Sequence, residues 1–336
     1  MTESERKRRA ALEAAGRAPL VVTDPATVRW LLCGRGRPVD VGAADFRIVI
    51  RSDAASVLYA DIEHSRVLAE ERLEELGYEL APFPWWDHPE TAHREHDLAP
   101  QRRHLGPEEV DRYRAVGADA AAAFEEAIGA LRPELTELEA AGELARAARN
   151  RDLVARVNLV AGEERQPVHR HPLPTSAPLG RHALLAFTVE RDGLHVSMTR
   201  IVSFGPAPRR LEELVQDAAE VDAAVISASR PGATHGELFE VLAEAYERQG
   251  FPEEWRRHHQ GGLTGYKGRE VFAVPGEPTP LPPAGAVAWN PSITGGGKSE
   301  DTVLVTAEGH EVLTRTPALG ELGTAAGISR AAIAEL

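Results

Sequence analysis

Cysteine is almost absent from the chain: among 336 residues the only thiol is Cys33. A single thiol excludes an intramolecular disulfide framework and suits a reducing cytoplasm. It closes the apolar run Trp30-Leu31-Leu32-Cys33, a setting that predicts buried packing rather than a nucleophile. Long apolar runs are missing too. No stretch approaches the ~20 residues that a membrane span needs. The charged N-terminus carries no apolar core of a secretory signal, so a cytoplasmic protein without a membrane partner is expected. Positive charge is in deficit, with 38 Lys and Arg against 52 Asp and Glu and a formal net charge of −14. Phosphate binding runs on clustered cations, so no nucleic-acid partner is expected. The basic cluster Arg6-Lys7-Arg8-Arg9 is short, is followed by Glu13, and reads as a solvated helical turn.

What is present describes a globular protein with room for two domains, 43% hydrophobic by composition. Residues 3–15 read as an amphipathic helix, Leu20-Val21-Val22 as a strand, and Asp24-Pro25 as a helix start in which Asp caps and Pro opens the first turn. Short β-type runs follow at 47–50 and 56–59, then a helix at 63–76 ended by Gly77, then a strand at 79–83. This alternation predicts a small α/β domain over 1–105, its last part a connector. The connector, 84–107, holds Trp85-Trp86 and the histidines His88, His93, His96 and His104, whose spacing matches no standard metal-ligand set.

The rest of the chain, 106–336, contains an echo. A long helix from 106 to 129 precedes Arg132-Pro133-Glu134-Leu135-Thr136, and another long helix precedes Arg230-Pro231-Gly232-Ala233-Thr234, with the two threonines 98 residues apart. Each Thr stands where it can cap a helix whose first turn is acidic. With β-type segments at 154–160, 183–189, 194–204, 270–274, 286–290 and 302–306, this predicts two related halves with helices outside and sheet inside.

An ordered set of signatures resembles the creatinase/aminopeptidase P family. Pro167-Val168-His169-Arg170-His171-Pro172-Leu173-Pro174-Thr175 resembles the family's His-containing loop, and the 192–200 segment its Ser-Asp-x-Thr-Arg strand. His258-His259-Gln260-Gly261-Gly262-Leu263-Thr264-Gly265 resembles its His-Gly-x-Gly-x-Gly region. Trp289-Asn290-Pro291 resembles the Glu-Pro-Gly element, Glu300-Asp301-Thr302-Val303-Leu304-Val305 the closing strand, and the segment 24–31 the smaller domain. The resemblance covers nearly the whole chain in order. It implies an α/β (α+β) protein: a small creatinase-like N-terminal domain and a C-terminal pita-bread domain with an internal pseudo-twofold repeat. It also implies a homodimer.

Metallopeptidases of this family hold two divalent metals with two Asp, one His and two Glu, a donor set suited to such ions. Carried over, these fall on Ala186, Ser197, Gly262, Asn290 and Glu300, and only Glu300 keeps its carboxylate. No metal and no other cofactor is therefore expected. Rescue by Glu190, Asp192, His195 or His259 requires strand slips that turn the side chain to the opposite face.

A polar pocket remains. The resemblance places His171 at the family's proton-handling histidine and His258 at a second pocket histidine, with Arg269 in place of a third. Imidazole serves as acid and base around neutrality. With Arg269, Glu300, Ser197, Asn290 and Arg200 as substrate-binding groups, this implies a metal-independent enzyme acting on a C–N bond of a small amino-acid-like or guanidino-like molecule, as creatinase, a metal-free member, does. A non-catalytic binding protein is the alternative, and an Xaa-Pro metallopeptidase is the third reading. His169 and His259 fall outside the site if the chain is extended there, Arg200 also fits a structural role, and Ser197 has no adjacent base to make it a nucleophile. Gly295-Gly296-Gly297-Lys298 lacks the spacing of a phosphate loop and reads as a flexible rim from which Lys298 reaches a substrate anion.

Overall fold

The structure, a computed structural model, describes residues 1–16, 18–39, 45–87 and 96–336. His88 and His93 of the expected connector lie outside the described residues. The chain divides into two compact units, Met1–Glu108 with Asp192–Leu194, and Glu109–Arg191 with His195–Leu336.

In the first unit, helix α1 (Glu3–Ala15) begins in a capping box between Thr2 and Glu5, and Gly16 ends it in the left-handed region at φ 62°. Strand β1 (Leu20–Val22) leads to α2 (Pro25–Leu31), where the Asp24 carboxylate accepts from Thr27 N at 3.0 Å, as the Asp-Pro signal predicts. Strands β2 (Phe46–Ile50), β3 (Ala55–Ala60) and β4 (Glu79–Phe83) complete a sheet of order β1-β2-β3-β4, antiparallel except for the β3/β4 pair. The regular helix expected at 63–76 is not formed. A 3₁₀ turn, the short α3 (His64–Arg66), a π turn over Val67–Glu71 and a second 3₁₀ turn take its place, with Arg72 left-handed at φ 49°. The wide π turn has a use: buried Glu71 accepts from the backbone N–H of Gly36 and of Arg37 and pairs with Arg66. Cys33 is half-buried in the turn after α2, with φ 54°, rather than packed in the core. Helix α4 (Ala99–Arg102) lies in the connector.

The second unit opens with α5 (Pro107–Gly129) and α6 (Glu137–Arg149), followed by β5 (Val154–Gly162), β6 (His182–Arg191) and β7 (Leu194–Ser203). The pattern recurs with α7 (Arg209–Ala228) and α8 (His235–Arg248), then β8 (Gly261–Thr264), β9 (Val271–Phe272), β10 (Gly285–Trp289), a small hairpin of β11 (Ser292–Ile293) and β12 (Gly297–Lys298), β13 (Asp301–Thr306) and β14 (Gly309–Val312). Short strands β15 (Glu321–Leu322), β16 (Arg330–Ala331) and β17 (Ala334–Glu335) close the chain. Both echoed threonines cap as expected. Thr136 and Thr234 each form a reciprocal capping box, with Glu139 and Glu237, an arrangement worth about 1 kcal/mol per cap.

Two sheets result, β17-β7-β6-β5 and β14-β13-β10-β8-β9. On the second, helical spacing turns Leu238, Leu242, Ala245 and Tyr246 of α8 inward, against a core that includes Val287, Trp289 and Val303. The sheets meet where Thr199 N donates to Glu300 O at 3.0 Å and Ser197 N donates to Thr302 Oγ1 at 2.7 Å. That seam fixes Glu300 and the residues around it.

Candidate active site

A cavity of about 270 Å³ opens in the second unit beside this seam, and His171, Ala186, Arg269, Asn290, Lys298 and Glu300 are among the residues on its wall. His171 comes from the irregular segment between β5 and β6, which has no ladder to hold it. Glu137, fully buried at the start of α6, supplies the anchor. Its carboxylate accepts from Gly162 N at 2.9 Å, from Thr175 N at 2.8 Å and from Thr175 Oγ1 at 2.7 Å, and it pairs with Arg165. Arg170 ties the tip down, donating to Ser292 Oγ and Thr294 Oγ1, both at 2.8 Å, and pairing with Glu254. Charge-assisted bonds of this kind fix the loop more firmly than neutral ones.

His258 does not reach the cavity wall. It is buried behind His171, with the two Nε2 atoms 2.8 Å apart. One proton serves both nitrogens, so His258 positions the His171 ring rather than a substrate. Gln260 holds the backbone behind it, donating to His258 O at 2.6 Å while accepting from Tyr246 OH at 3.0 Å. His258 Nδ1 is buried with no hydrogen-bond partner. Burial, then the positive charges of Lys298 and Arg170 with the two neighbouring imidazoles, holds this ring far below the usual histidine range. His171 is lowered by partial burial and then by Lys298, against a smaller pull from Glu300.

His259, expected to point away, stacks on His258 with ring centroids 4.5 Å apart and lies edge-on to Phe272. The stretch 258–260 precedes β8 and does not alternate as a strand does, which brings both rings to one side. Contact with these rings takes part of the imidazole out of water, and this, then Arg269 and Lys298, pushes His259 down to about 4 although the residue stays exposed. Its neutral form is the one the fold favours, and its unfolded value is near 6.5. Stability from this group is therefore present above about pH 6.5 and is lost as pH falls through about 4. Urea midpoints between those limits are expected to drop for the wild type and to drop less for His259→Gln; equal slopes would refute the assignment.

The other expected residues divide. Arg269 donates to Glu300 Oε1 at 3.1 Å and to Ser197 Oγ at 3.3 Å, and Thr199 Oγ1 donates to Glu300 Oε2 at 2.7 Å. Burial would raise the Glu300 carboxyl, but Lys298, Arg269 and the hydrogen bonds from Thr199 and Arg269 outweigh it and keep it below its ordinary value. Asn290 faces the cavity, with its Oδ1 buried and unpartnered. Ser197 is buried behind the wall, sharing a hydrogen bond with Thr188. Arg200, expected among the substrate-binding groups, is buried on Asp301, the Thr314 carbonyl and Thr316 and is not among the residues on the cavity wall. The Gly295–Lys298 segment is no flexible rim, since β12 packs on α7 so closely that a Cβ on Gly297 would lie 2.3 Å from Leu214 O. Lys298 is consequently buried beside Glu300, 3.8 Å from its Oε2.

The five family ligand positions do not fit a pair of divalent ions. Ala186 has no donor, and a Cβ on Gly262 would come 2.2 Å from Val271 O, leaving no room for a histidine on this backbone. Ser197 is spent on Thr188 and Arg269, Asn290 is neutral, and Glu300 is already shared by two cations. His171, His258 and His259 form a different grouping, with ring nitrogens within 4.8 Å of one another. Three imidazoles suit a metal ion, but Lys298 and other fixed cations bear on all of them and oppose a divalent charge.

The pattern of a known family extends over residues 111–307 and is that of metallopeptidase family M24. The chain belongs to family M24. The M24 chain is 33% identical to the agropine synthesis cyclase of Rhizobium rhizogenes over 116 residues, which cover 32% of it and 28% of that protein. It is 24% identical to the Xaa-Pro dipeptidase of Lactobacillus helveticus over 227 residues, covering 64% of it and 61% of that protein. It thus matches less than two thirds of the length of either curated relative. Among solved structures, dipeptidase PepE from Mycobacterium ulcerans superposes with a TM-score of 0.72 at 19% identity, over 94% of this chain and 96% of that one. The M24 chain therefore has the pita-bread fold with a creatinase-like N-terminal part, as the ordered signatures imply. No helix among its described residues is long and apolar enough to cross a membrane.

Proposed function

We propose that the protein is a metal-independent enzyme in which His171 exchanges a proton with a small amino-acid-like or guanidino-like substrate, with hydrolysis of a C–N bond as the reaction. The observation that carries this reading is the His171–His258 hydrogen bond, 2.8 Å long, at the wall of a cavity whose family metal positions keep a single carboxylate, Glu300. With His171 Nε2 engaged, Nδ1 is the ring nitrogen left to take a proton from an attacking water and return it to the leaving nitrogen. The relatives named for agropine synthesis and for Xaa-Pro dipeptides support a small substrate over a macromolecular one. The same reading carries a homodimer in a reducing cytoplasm, with no nucleic-acid or membrane partner.

The alternative, a non-catalytic ligand- or peptide-binding protein, draws on the same loss of metal donors. An Xaa-Pro metallopeptidase would need the donors that Ala186 and Gly262 lack. One experiment separates the three. Protein purified without chelator is analysed for Mn, Co, Zn and Fe by plasma mass spectrometry, and assayed with and without EDTA on N-acyl and N-amidino amino acids and Xaa-Pro dipeptides. Substoichiometric metal and EDTA-insensitive turnover of an acyl or amidino compound are expected. Stoichiometric metal with EDTA-sensitive turnover would overturn the reading, and binding without turnover would establish the non-catalytic one.

A further inference from the structure

The charges around the cavity do not balance. Arg156 is paired with Glu190 at 2.6 Å, and Arg170 with Glu254, which Arg257 also approaches at 3.7 Å, so both of these cations have a carboxylate beside them. Arg269 and Lys298 share the single carboxylate of Glu300, at 3.1 and 3.8 Å. One positive charge is left over. Its holder is Lys298, whose side chain is 5% exposed and lies on the cavity wall. Among the described residues Glu300 is its only ion-pair partner, at 3.8 Å. Burial pulls Lys298 below the ordinary lysine value, with Glu300 opposing and Arg269 and Arg170 adding to it, so its ammonium is costly to keep unless a ligand supplies acceptors.

We propose that Lys298 is the docking point for a carboxylate of the substrate, which completes the charge balance of the cavity. In family M24 the carboxylate at the position of Glu300 serves a metal; here it faces a lysine, so a fixed ammonium stands beside the ligand position and draws in an anionic oxygen. His171 lines the same cavity, so a carboxylate seated on Lys298 leaves the remainder of a small molecule within the space that this imidazole borders. Asn290, with its buried carboxamide on the same wall, offers a further polar contact. The substrate class is thereby narrowed to small monocarboxylic acids. A molecule bearing only a cationic guanidinium is disfavoured, because the surplus charge repels it.

The inference rests on the reading that this cavity is the substrate site, and its test is independent of turnover. N-acetylglycine and its neutral isostere N-acetylglycinamide are titrated into the full chain by isothermal calorimetry, using wild type, Lys298→Met, Lys298→Arg and His171→Ala. For the wild type, the acid is expected to bind at least about tenfold more tightly than the amide. Lys298→Met should lose that preference, Lys298→Arg should keep most of it, and His171→Ala should keep the preference for acid over amide, whatever its effect on the affinity of either. Equal binding of acid and amide, no binding of the acid at ~10 mM, or an unchanged preference in a folded Lys298→Met would overturn the proposal. The acid–amide comparison in wild type needs no variant, so a poorly folding Lys298→Met does not blunt the test. A preference that depends on Lys298, in a protein whose turnover ignores His171, would refute the histidine chemistry and leave the carboxylate site standing.

Discussion

A His171→Ala protein is expected to lose turnover by roughly 10²- to 10⁴-fold, the contribution of a positioned proton-transfer group, while its urea midpoint stays close to that of the wild type. The fold should tolerate the change because the loop does not depend on this ring. Glu137 and Arg170 hold its two flanks, and the imidazole itself is exposed on the cavity side. The pH profile gives a second readout. Burial and Lys298 depress His171 below the ordinary histidine value near 6.5, so it is already in its base form at neutral pH. The acid limb of kcat/KM should therefore lie below about pH 6.5, and activity should fall as pH drops through the lowered value. His258→Gln should reduce kcat more than it changes KM and should shift that limb, because His258 acts through the His171 ring and touches no substrate. Full turnover in His171→Ala, or a limb that ignores His258→Gln, would sink the proton-transfer role.

The features legible in the sequence are those that local chemistry or spacing determines. The caps at Asp24, Thr136 and Thr234 follow from one side chain and the backbone three residues on, and all three are formed. The order of the signatures carries the family. What sequence could not show depends on partners far along the chain. Glu137 anchors residues 162–175 across a helix and a strand, a pairing that no periodicity announces. Lys298 follows three glycines, which suggests a loose loop, yet those glycines let β12 lie against α7 and bury the lysine. Arg200 is next to Thr199 at the site, but strand alternation turns it to the opposite face, towards Asp301. His259 shows the converse: the stretch 258–260 is not a strand, alternation does not apply, and the ring stacks on His258.

Behind the site, Asp222, Ser299, Asp301, Arg200 and Arg330 form a buried polar cluster, and Arg330→Ala is expected to destabilise the protein by about 3–5 kcal/mol. Arg330 is 1% exposed and pairs with Asp222 at 2.6 Å and with Asp301 at 2.8 Å. Asp301 also binds Arg200 at 2.8 Å, and Ser299 donates to Asp222 at 2.6 Å. Burial raises the Asp222 carboxyl despite Arg330 beside it, so removing the guanidinium leaves an anion with little to offset its desolvation. Asp301 is less exposed to the loss because Arg200 remains. The double variant Arg330→Met/Asp222→Leu should accordingly recover part of the stability, since it removes the orphaned charge along with its partner. Arg209→Ala, which breaks an ion pair on the surface of α7, should leave the midpoint unchanged. A midpoint in Arg330→Ala as high as in Arg209→Ala would refute the argument. The cluster also bears on chemistry, because Ser299 and Asp301 flank Glu300 in the segment that joins β12 to β13, at whose start Lys298 stands. Loosening it should weaken carboxylate binding at Lys298 even at temperatures where Arg330→Ala is still folded, tying the rigidity of the seam to the affinity of the site.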